Sequence, residues 1–474
     1  MTNVISHSPH RVSPLVHAAL ITTVIATASV YGYLSVRDAL LSPVWVYLIL
    51  YAVVYGIYIY AGVRLIPQLG GKLGVWLPLI LVTAVIFRLI FVDTAPSLST
   101  DIYRYVWDGR LTCHGVNPYK WAPYDGRLAE FRDASIWYPM EYKFYNTIYM
   151  PVSQAIFALV YALGGSSLAA FKLCYVLFDA GVMALMVLIL RERKLPVSNV
   201  YWYAWCPLPI TEIGIAGHQD VVGVFCLLFA ILLMVRKRPM KSAALLMAAA
   251  FTKGFAFLVL PALVRRYGKN ILAFTFIAFA ALGMPIWVEL QSFTHGMKQY
   301  LGSVHVNSGV FYLVNKALRT VIPDYSYQIT SRLGNIGMLA AIFWSVRTPI
   351  TSSAEFIRRA TIVIAVCLLV VPTLFPWYVI WLLPLALIMR PKPAFSFVAL
   401  SGSVALMYLY YYDLTILWWF RALEYVPFYL LLWKEYKEGY WAPVSEASGD
   451  ADAGDDEGAE PVSVAAVGNA TVVV

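Results

Sequence analysis

Val75-Trp-Leu-Pro-Leu-Ile-Leu-Val-Thr-Ala-Val-Ile-Phe-Arg-Leu-Ile-Phe-Val-Asp93 is a continuous apolar run that ends on an acid. A few residues later comes Ser99-Thr-Asp-Ile-Tyr-Arg-Tyr-Val-Trp-Asp-Gly-Arg110, then Gly115-Val-Asn-Pro-Tyr119. The first stretch is long enough to cross a hydrocarbon core of about 30 Å as a helix. It does not alternate, so it does not read as a barrel strand. The second stretch is the densest mixture of charge and aromatic rings in the chain.

The remainder of the 474 residues extends the first pattern, with 61% apolar and only 13% charged residues. Soluble globular chains run near 45–50% apolar and about 25% charged. This composition excludes a soluble enzyme and a disordered chain, and it predicts an all-α polytopic membrane protein. Apolar runs near 13–35, 43–65, 75–93, 168–190, 197–214, 218–236, 270–288, 329–346, 357–374, 376–389, 394–412 and 415–433 read as spans. The N-terminus lacks a cleavable leader pattern, so the first run is expected to stay as a span.

The net charge of +9 is unevenly spread. Seven acids crowd into Glu446–Glu460 and no Lys or Arg follows Lys437. The body is therefore the basic part, which in a membrane chain marks cytoplasmic loops rather than a nucleic-acid partner. Basic clusters fall at Arg191–Lys194, Arg236–Lys241, Arg265–Lys269, Arg347–Arg359, Arg390–Lys392 and Lys434–Lys437. Placing all of them inside leaves about twelve spans with both termini cytoplasmic. Two segments then do not cross. Residues 149–164 read as a helix lying on the outer interface. Residues 240–264 read as a re-entrant or broken helix with its break near Thr252-Lys253-Gly254. Irregular backbone at membrane depth is tolerated where it lines a cavity.

The expected organisation is N-terminal spans over 1–93, a first large extracytoplasmic loop with the interfacial helix over 94–167, and a membrane core over 168–433 with a second outer loop at 289–328. A disordered acidic cytoplasmic tail follows over 444–474. The turns at Gly217–Asp220, Pro372–Trp377 and Asp413 face the same side as the two large loops. The cysteines Cys113, Cys174, Cys206, Cys226 and Cys367 are odd in number and scattered, with no disulfide framework or metal pair.

Asp101, Arg104 and Asp108 sit at i, i+3 and i+7, so a helix would carry them on one face. Tyr103, Tyr105 and Trp107 interleave with them. Such a set suits a sugar–phosphate site, with rings stacking on the sugar and Arg forking a phosphate oxygen. It equally suits an interfacial helix with an aromatic belt and surface ion pairs.

The string Asp101–Arg110 with Gly115–Tyr119 closely resembles a pattern of the GT-C superfamily of integral-membrane glycosyltransferases. The nearest group looks like the bacterial polyprenol-phosphate-mannose-dependent mannosyltransferases. Further segments match in order over roughly 95 to 390. Ile148-Tyr-Met-Pro-Val-Ser-Gln154 resembles the family's "IYPPxxQ". Ala204-Trp-Cys-Pro207 with Gly217-His-Gln-Asp220 resembles "AWNP … GHND". Phe251-Thr-Lys-Gly254 with Leu260-Pro261 resembles the "xxK … LP" segment. Pro372-Thr-Leu-Phe-Pro-Trp-Tyr378 resembles "PTxHPWY". Cys206 stands where the family usually has Asn, and Phe375 where it often has His. If those polar groups touch substrate in relatives, this chain touches it differently.

The resemblance implies an outer-face active site and a sugar donor, most often mannose, on a polyprenyl phosphate. It also implies inversion at the anomeric carbon and an acceptor that is a glycan, glycolipid or protein. Asp101 would be the general base. A leaving phosphate needs positive charge, which Arg104, near in sequence, and Lys253, an intramembrane cation, could supply; a lysine there equally suits snorkelling to an interface or a structural pair. Tyr103, Trp107, Asp108, Asn117, Tyr119 and Trp377 belong to the matching motifs as substrate-binding candidates. His218 and Asp220 lie at the outer end of a span, where they suit sugar hydroxyls or simply a hydrogen-bonded helix start. His305 and Asn307, with Tyr300 and Tyr312, lie in the second outer loop, as an acceptor cover or as exposed loop residues. No cofactor is certain; a divalent metal stays open as an alternative, though no compact carboxylate cluster demands one.

Two rivals remain at this point. A flippase or transporter of lipid-linked sugars would share the spans and the intramembrane lysine, but would place its polar residues near the midplane. A structural partner of a glycan-assembly complex would tolerate loss of Asp101.

Overall fold

The computed structural model of this chain describes residues 13–37, 43–412 and 418–443. The acidic tail over 444–474 and the Asp413 turn lie outside them. Among the described residues the regular structure is helical and no strand forms.

Helices α1 (Pro14–Ser35), α2 (Val44–Tyr60) and α3 (Leu73–Leu89) occupy the first three apolar runs. Ser13 caps α1 by accepting from the Leu15 amide at 3.3 Å, and Pro14 supplies the preset φ of a first helical residue. Next come α4 (Asp101–Cys113), α5 (Pro151–Gly164) and α6 (Leu168–Glu192). Helices α4 and α5 pack so closely that a Cβ on Gly109 would strike the Phe157 carbonyl.

The run expected as a single span at 197–214 is broken. It forms a 3-10 turn (Val197–Val200), α7 (Tyr201–Ala204) and α8 (Pro207–Gly214). Pro207 is the cause, because it disfavours helical backbone in the residue before it. Cys206 sits at φ −60° and ψ 125°. Gly217, at φ 71°, then turns the chain into α9 (Asp220–Val235) against the side chain of Ile102.

Helix α10 (Pro239–Ala250) stops short. Lys253 is extended at φ −156° and ψ 134°, a 3-10 stretch covers Gly254–Val259, and α11 (Leu260–Tyr267) resumes. The interruption therefore lies at Thr252-Lys253-Gly254. Helices α12 (Lys269–Leu282) and α13 (Met284–Val288) lead into 289–328, which the sequence presents as a loop. Most of that stretch is in fact helical, as α14 (Leu290–Ser303) and α15 (Val310–Arg319). Val310, Leu313, Ala317 and Leu318 recur at helical spacing, and this amphipathic pattern is hidden among polar neighbours.

Helices α16 (Ser326–Val346) and α17 (Ser353–Val370) follow, the latter capped by Ser352. The runs at 376–389 and 394–412 each contain a 3-10 stretch, Pro376–Trp381 before α18 (Leu383–Ile388) and Val404–Tyr408 between α19 (Phe395–Ser403) and α20 (Leu409–Tyr412). Helix α21 (Trp418–Lys437) ends the described chain.

Among the described residues, four helical stretches are long and apolar enough to cross a membrane: Pro14–Ser35, Val44–Gly70, Leu168–Glu192 and Pro323–Val346. Shorter apolar helices, among them Leu73–Leu89 and Asp220–Val235, stand beside them. The burial pattern is that of a protein solvated by lipid. Leu333, Ile336, Leu339 and Phe343 of α16 point outward, as do Ile21 and Ile25 of α1. Polar groups are inside. Arg88 of α3 pairs with Asp179 of α6, and both are fully buried. Tyr203 donates to the other oxygen of Asp179 at 2.6 Å, and Arg88 donates to the Ala204 carbonyl at 2.9 Å. An ionised pair in that setting persists because each charge faces its opposite and further polar groups bond to both.

Candidate active site

Asp101 is the first residue of α4, and its amide donates to Ser99 Oγ at 3.2 Å. A carboxylate there lies at the positive end of the helix. Its side chain lines a cavity of about 360 Å³ enclosed by the α4 start, the segment before α5, the α10–α11 break, α14 and the segment after α17. Burial pushes the Asp101 carboxyl up to about 6. Lys253 and a hydrogen bond from Tyr149 hold it lower than burial alone would, while Asp220 and Glu141 push it up.

Arg104 lines the same cavity one turn on. Its Nε donates to Asp108 Oδ1 at 2.8 Å, and both terminal nitrogens lie 3.2 Å from the Tyr145 carbonyl oxygen. Asp108 is fully buried and also accepts from Thr147 Oγ1 at 2.5 Å and Gln154 Nε2 at 2.8 Å. It anchors Arg104 and the chain leading to α5 and does not line the cavity.

Lys253 enters from the break after α10, where the extended backbone turns its side chain out of the helix row. Its Nζ is 2.6 Å from Asp220 Oδ1, which also accepts from Trp381 Nε1 at 2.9 Å. The lysine side chain is 21% exposed and the aspartate 1%, so the pair presents its cationic end to the cavity. The ammonium lies 4.1 Å from the centroid of the Tyr378 ring, a cation–π contact.

Aromatic walls complete the space. Tyr149, Tyr300, Tyr378 and Trp377 all line it, and the Tyr300 and Tyr378 hydroxyls are 3.3 Å apart. Trp377 is held between two parallel rings, His218 at 3.8 Å and Phe375 at 4.3 Å. The segment carrying it is tied to 304–307, since Thr373 donates to the Val304 carbonyl and the Leu374 amide to the Val306 carbonyl. Asn307 is fixed in turn by Glu424 and Tyr425 of α21. Leu258, Leu301 and Val371 form an apolar side of the same cavity. A second cavity of about 110 Å³ adjoins it and shares Asp101 and Trp377.

Of the sequence-derived candidates, the structure brings Asp101, Arg104, Lys253 and Trp377 onto one cavity. Asp220 stands behind Lys253. His218 is buried behind Trp377 with Nε2 3.4 Å from Glu212 Oε2. The others lie off the cavity wall. Trp107 is fully buried in the core and Tyr103 is half-buried beside it. Asn117 accepts from the Tyr119 amide at 3.1 Å, and the Tyr119 hydroxyl donates to the Tyr149 carbonyl at 2.7 Å. His305 packs on Tyr327, ring centroids 4.6 Å apart.

Of the two motif departures, Cys206 is fully buried with Sγ 3.3 Å from Ser401 Oγ. Phe375 lines the smaller cavity. Tyr300, named from sequence with the second outer loop, also lines the site, while Tyr149, Tyr378, Glu141 and Tyr142 line it and were not singled out for it from sequence. Tyr149 and Tyr378 lie inside the quoted motifs, so a signal existed for those two. Among the described residues no three His, Cys, Asp or Glu side chains converge as a metal-ligand set.

Residues 15–267 match the family described as alpha-(1->6)-mannopyranosyltransferase, N-terminal domain. That match covers more than half of the chain and includes α4, Asp220 and Lys253. Trp377 and Tyr378 lie beyond it. No curated protein matches the chain.

Proposed function

Because this chain belongs to the alpha-(1->6)-mannopyranosyltransferase family and is a membrane mannosyltransferase, we propose that it moves mannose from a polyprenyl-phosphate carrier to an extracytoplasmic glycan or glycolipid. Asp101 is the general base of that reaction. The observation that carries this reading is a single cavity lined by the Asp101 carboxylate, which burial pushes up to about 6, by two anchored cations and by eight aromatic residues.

The acceptor hydroxyl oxygen attacks the anomeric carbon as its proton passes to the Asp101 carboxylate. The bond from that carbon to the phosphate oxygen breaks on the opposite side, and the lipid phosphate leaves with the electron pair. Inversion of this kind makes an α-linkage only from a β-linked donor. A positioned base contributes roughly 10²–10⁴-fold to such a step. The leaving phosphate gains charge, and Lys253 and Arg104 meet it. Each is already held by a buried aspartate, so neither has to reorganise when the charge develops. Trp377, stacked on both faces, offers the sugar its ring edge, and Tyr149, Tyr300 and Tyr378 line the space around it. The apolar side formed by Leu258, Leu301 and Val371 suits the first isoprene units.

The basic clusters at the opposite loop ends support a cytoplasmic orientation for them and an extracytoplasmic one for the site. The test is transfer by purified protein in lipid from radiolabelled polyprenyl-phosphate-mannose to a membrane glycan extract. Mannose in an α-(1→6) linkage in the product is the expected result. Absence of product in that assay, with labelled donor instead carried across the bilayer of sealed vesicles, would overturn the reading in favour of transport.

A further inference from the structure

Asp101 stands where two cavities meet. The larger, about 360 Å³, carries Arg104 and Lys253, and the smaller, about 110 Å³, carries neither. The two share Thr100, Asp101, Glu141, Tyr142, Tyr300 and Trp377. The smaller one adds the hydroxyls of Ser97 and Ser99 and the ring of Phe375, and no Lys or Arg lines it. Its only charged groups are the carboxylates of Asp101 and Glu141.

Glu141 is exposed, and among the described residues no side-chain hydrogen bond or ion pair engages it. Its neighbour Tyr142 is a non-glycine residue at φ 51°, a conformation that persists where the surroundings impose it. Here they do: the Tyr142 ring stacks on Tyr145 at 5.6 Å and meets Tyr300 edge-on at 6.4 Å. Glu141 is thereby held at the wall between the two cavities. Two carboxylates among hydroxyls and aromatic rings repel phosphate and accept hydrogen bonds from a neutral polyol.

We infer that the smaller chamber receives the terminal sugar of the acceptor, and that Glu141 is a specificity residue. Its carboxylate accepts a hydrogen bond from an acceptor hydroxyl other than the attacking one and turns away phosphate-bearing sugars. The inference rests on the mannosyl-transfer reading and adds the class of acceptor, an uncharged sugar end. It divides the labour of the site, with anions on the Lys253 side of Asp101 and neutral hydroxyls on the Glu141 side.

The experiment compares wild type, E141Q, E141D and E141K in lipid. Polyprenyl-phosphate-mannose is kept saturating, with α-linked mannobiose or its phosphate-bearing analogue as the acceptor probe. Binding of mannobiose to donor-free protein is measured in parallel by saturation-transfer NMR. Because a charge-assisted hydrogen bond is about twice as strong as a neutral one, E141Q should raise the mannobiose KM about tenfold. It should leave kcat within about twofold and donor Kd unchanged. E141D should recover most of the loss, and E141K should improve use of the phosphate-bearing probe relative to mannobiose. Transfer that continues with an unaltered mannobiose KM in E141Q would overturn the inference while leaving the mannosyltransferase reading intact, and so would a parallel rise in donor Kd. Protein that binds mannobiose in a Glu141-dependent way without transferring mannose would sink the transfer reading and keep the subsite.

Discussion

Replacing Lys253 with Met separates the structural role of its ammonium from the phosphate contact proposed for it. Structurally, Lys253 neutralises Asp220, which is 1% exposed and bonded to Lys253 at 2.6 Å and Trp381 at 2.9 Å. Removing one partner of a buried pair costs about 3–5 kcal/mol. Trp381 still donates to Asp220 in the variant, so a loss of about 2–4 kcal/mol is expected. Functionally, the loss of one charge-assisted contact to phosphate is worth about 1.5–3 kcal/mol, or roughly ten- to a hundredfold in donor affinity. The assay is thermal unfolding in detergent beside binding of polyprenyl-phosphate-mannose, on K253M, D220N and the double variant. The double variant should regain most of the stability, because the buried charge is gone, yet should bind donor as weakly as K253M. Donor affinity recovering together with stability would refute a phosphate contact and leave Lys253 as a structural counter-ion.

Three other perturbations test neighbouring parts of the site. With the Asp101 carboxyl at about 6, turnover under saturating acceptor should fall about tenfold between pH 7 and pH 5, because the base must be ionised to accept a proton; a rate flat to pH 5 would contradict this. Removing the nearby cation in K253M should move that acid limb to higher pH. Asp108→Ala strips Arg104, Thr147 and Gln154 of a shared buried acceptor and should cost about 3–5 kcal/mol in unfolding measurements, with activity lost through displacement of Arg104. Gly223→Ala drives a methyl into Trp381 and Thr252 beside the Asp220–Lys253 pair, and overpacking of that kind should lower stability by about 1–3 kcal/mol in the same melts.

Much of this site was legible because its signals are local. The charge spacing of Asp101, Arg104 and Asp108 announces α4, and the basic ends of 240–264 announce a segment that has to break. The direction of Asp108 was not legible. A shared helical face says nothing of depth, and seven residues advance a helix by about 10 Å. That places Asp108 well below the cavity, where Thr147 and Gln154 bind it. Trp107 was misplaced for a related reason: α4 is buried on nearly all sides, so its aromatic residues serve the core as readily as a ligand. The Tyr300–Tyr378 contact and the stack of Trp377 on His218 join distant parts of the chain, and no periodicity records such pairings. The prolines that interrupt 197–214 were visible, but apolar content outweighed them in reading that stretch as one span.

The central claim is that Asp101 takes the acceptor proton during mannosyl transfer. Asp101→Asn keeps the size of the side chain and removes its basicity, so single-turnover transfer from bound polyprenyl-phosphate-mannose measures the claim directly. The account predicts that the variant binds donor with wild-type affinity and transfers at least about a hundredfold more slowly at neutral pH. Transfer within a few fold of wild type, or a loss traced wholly to weaker donor binding, would contradict it.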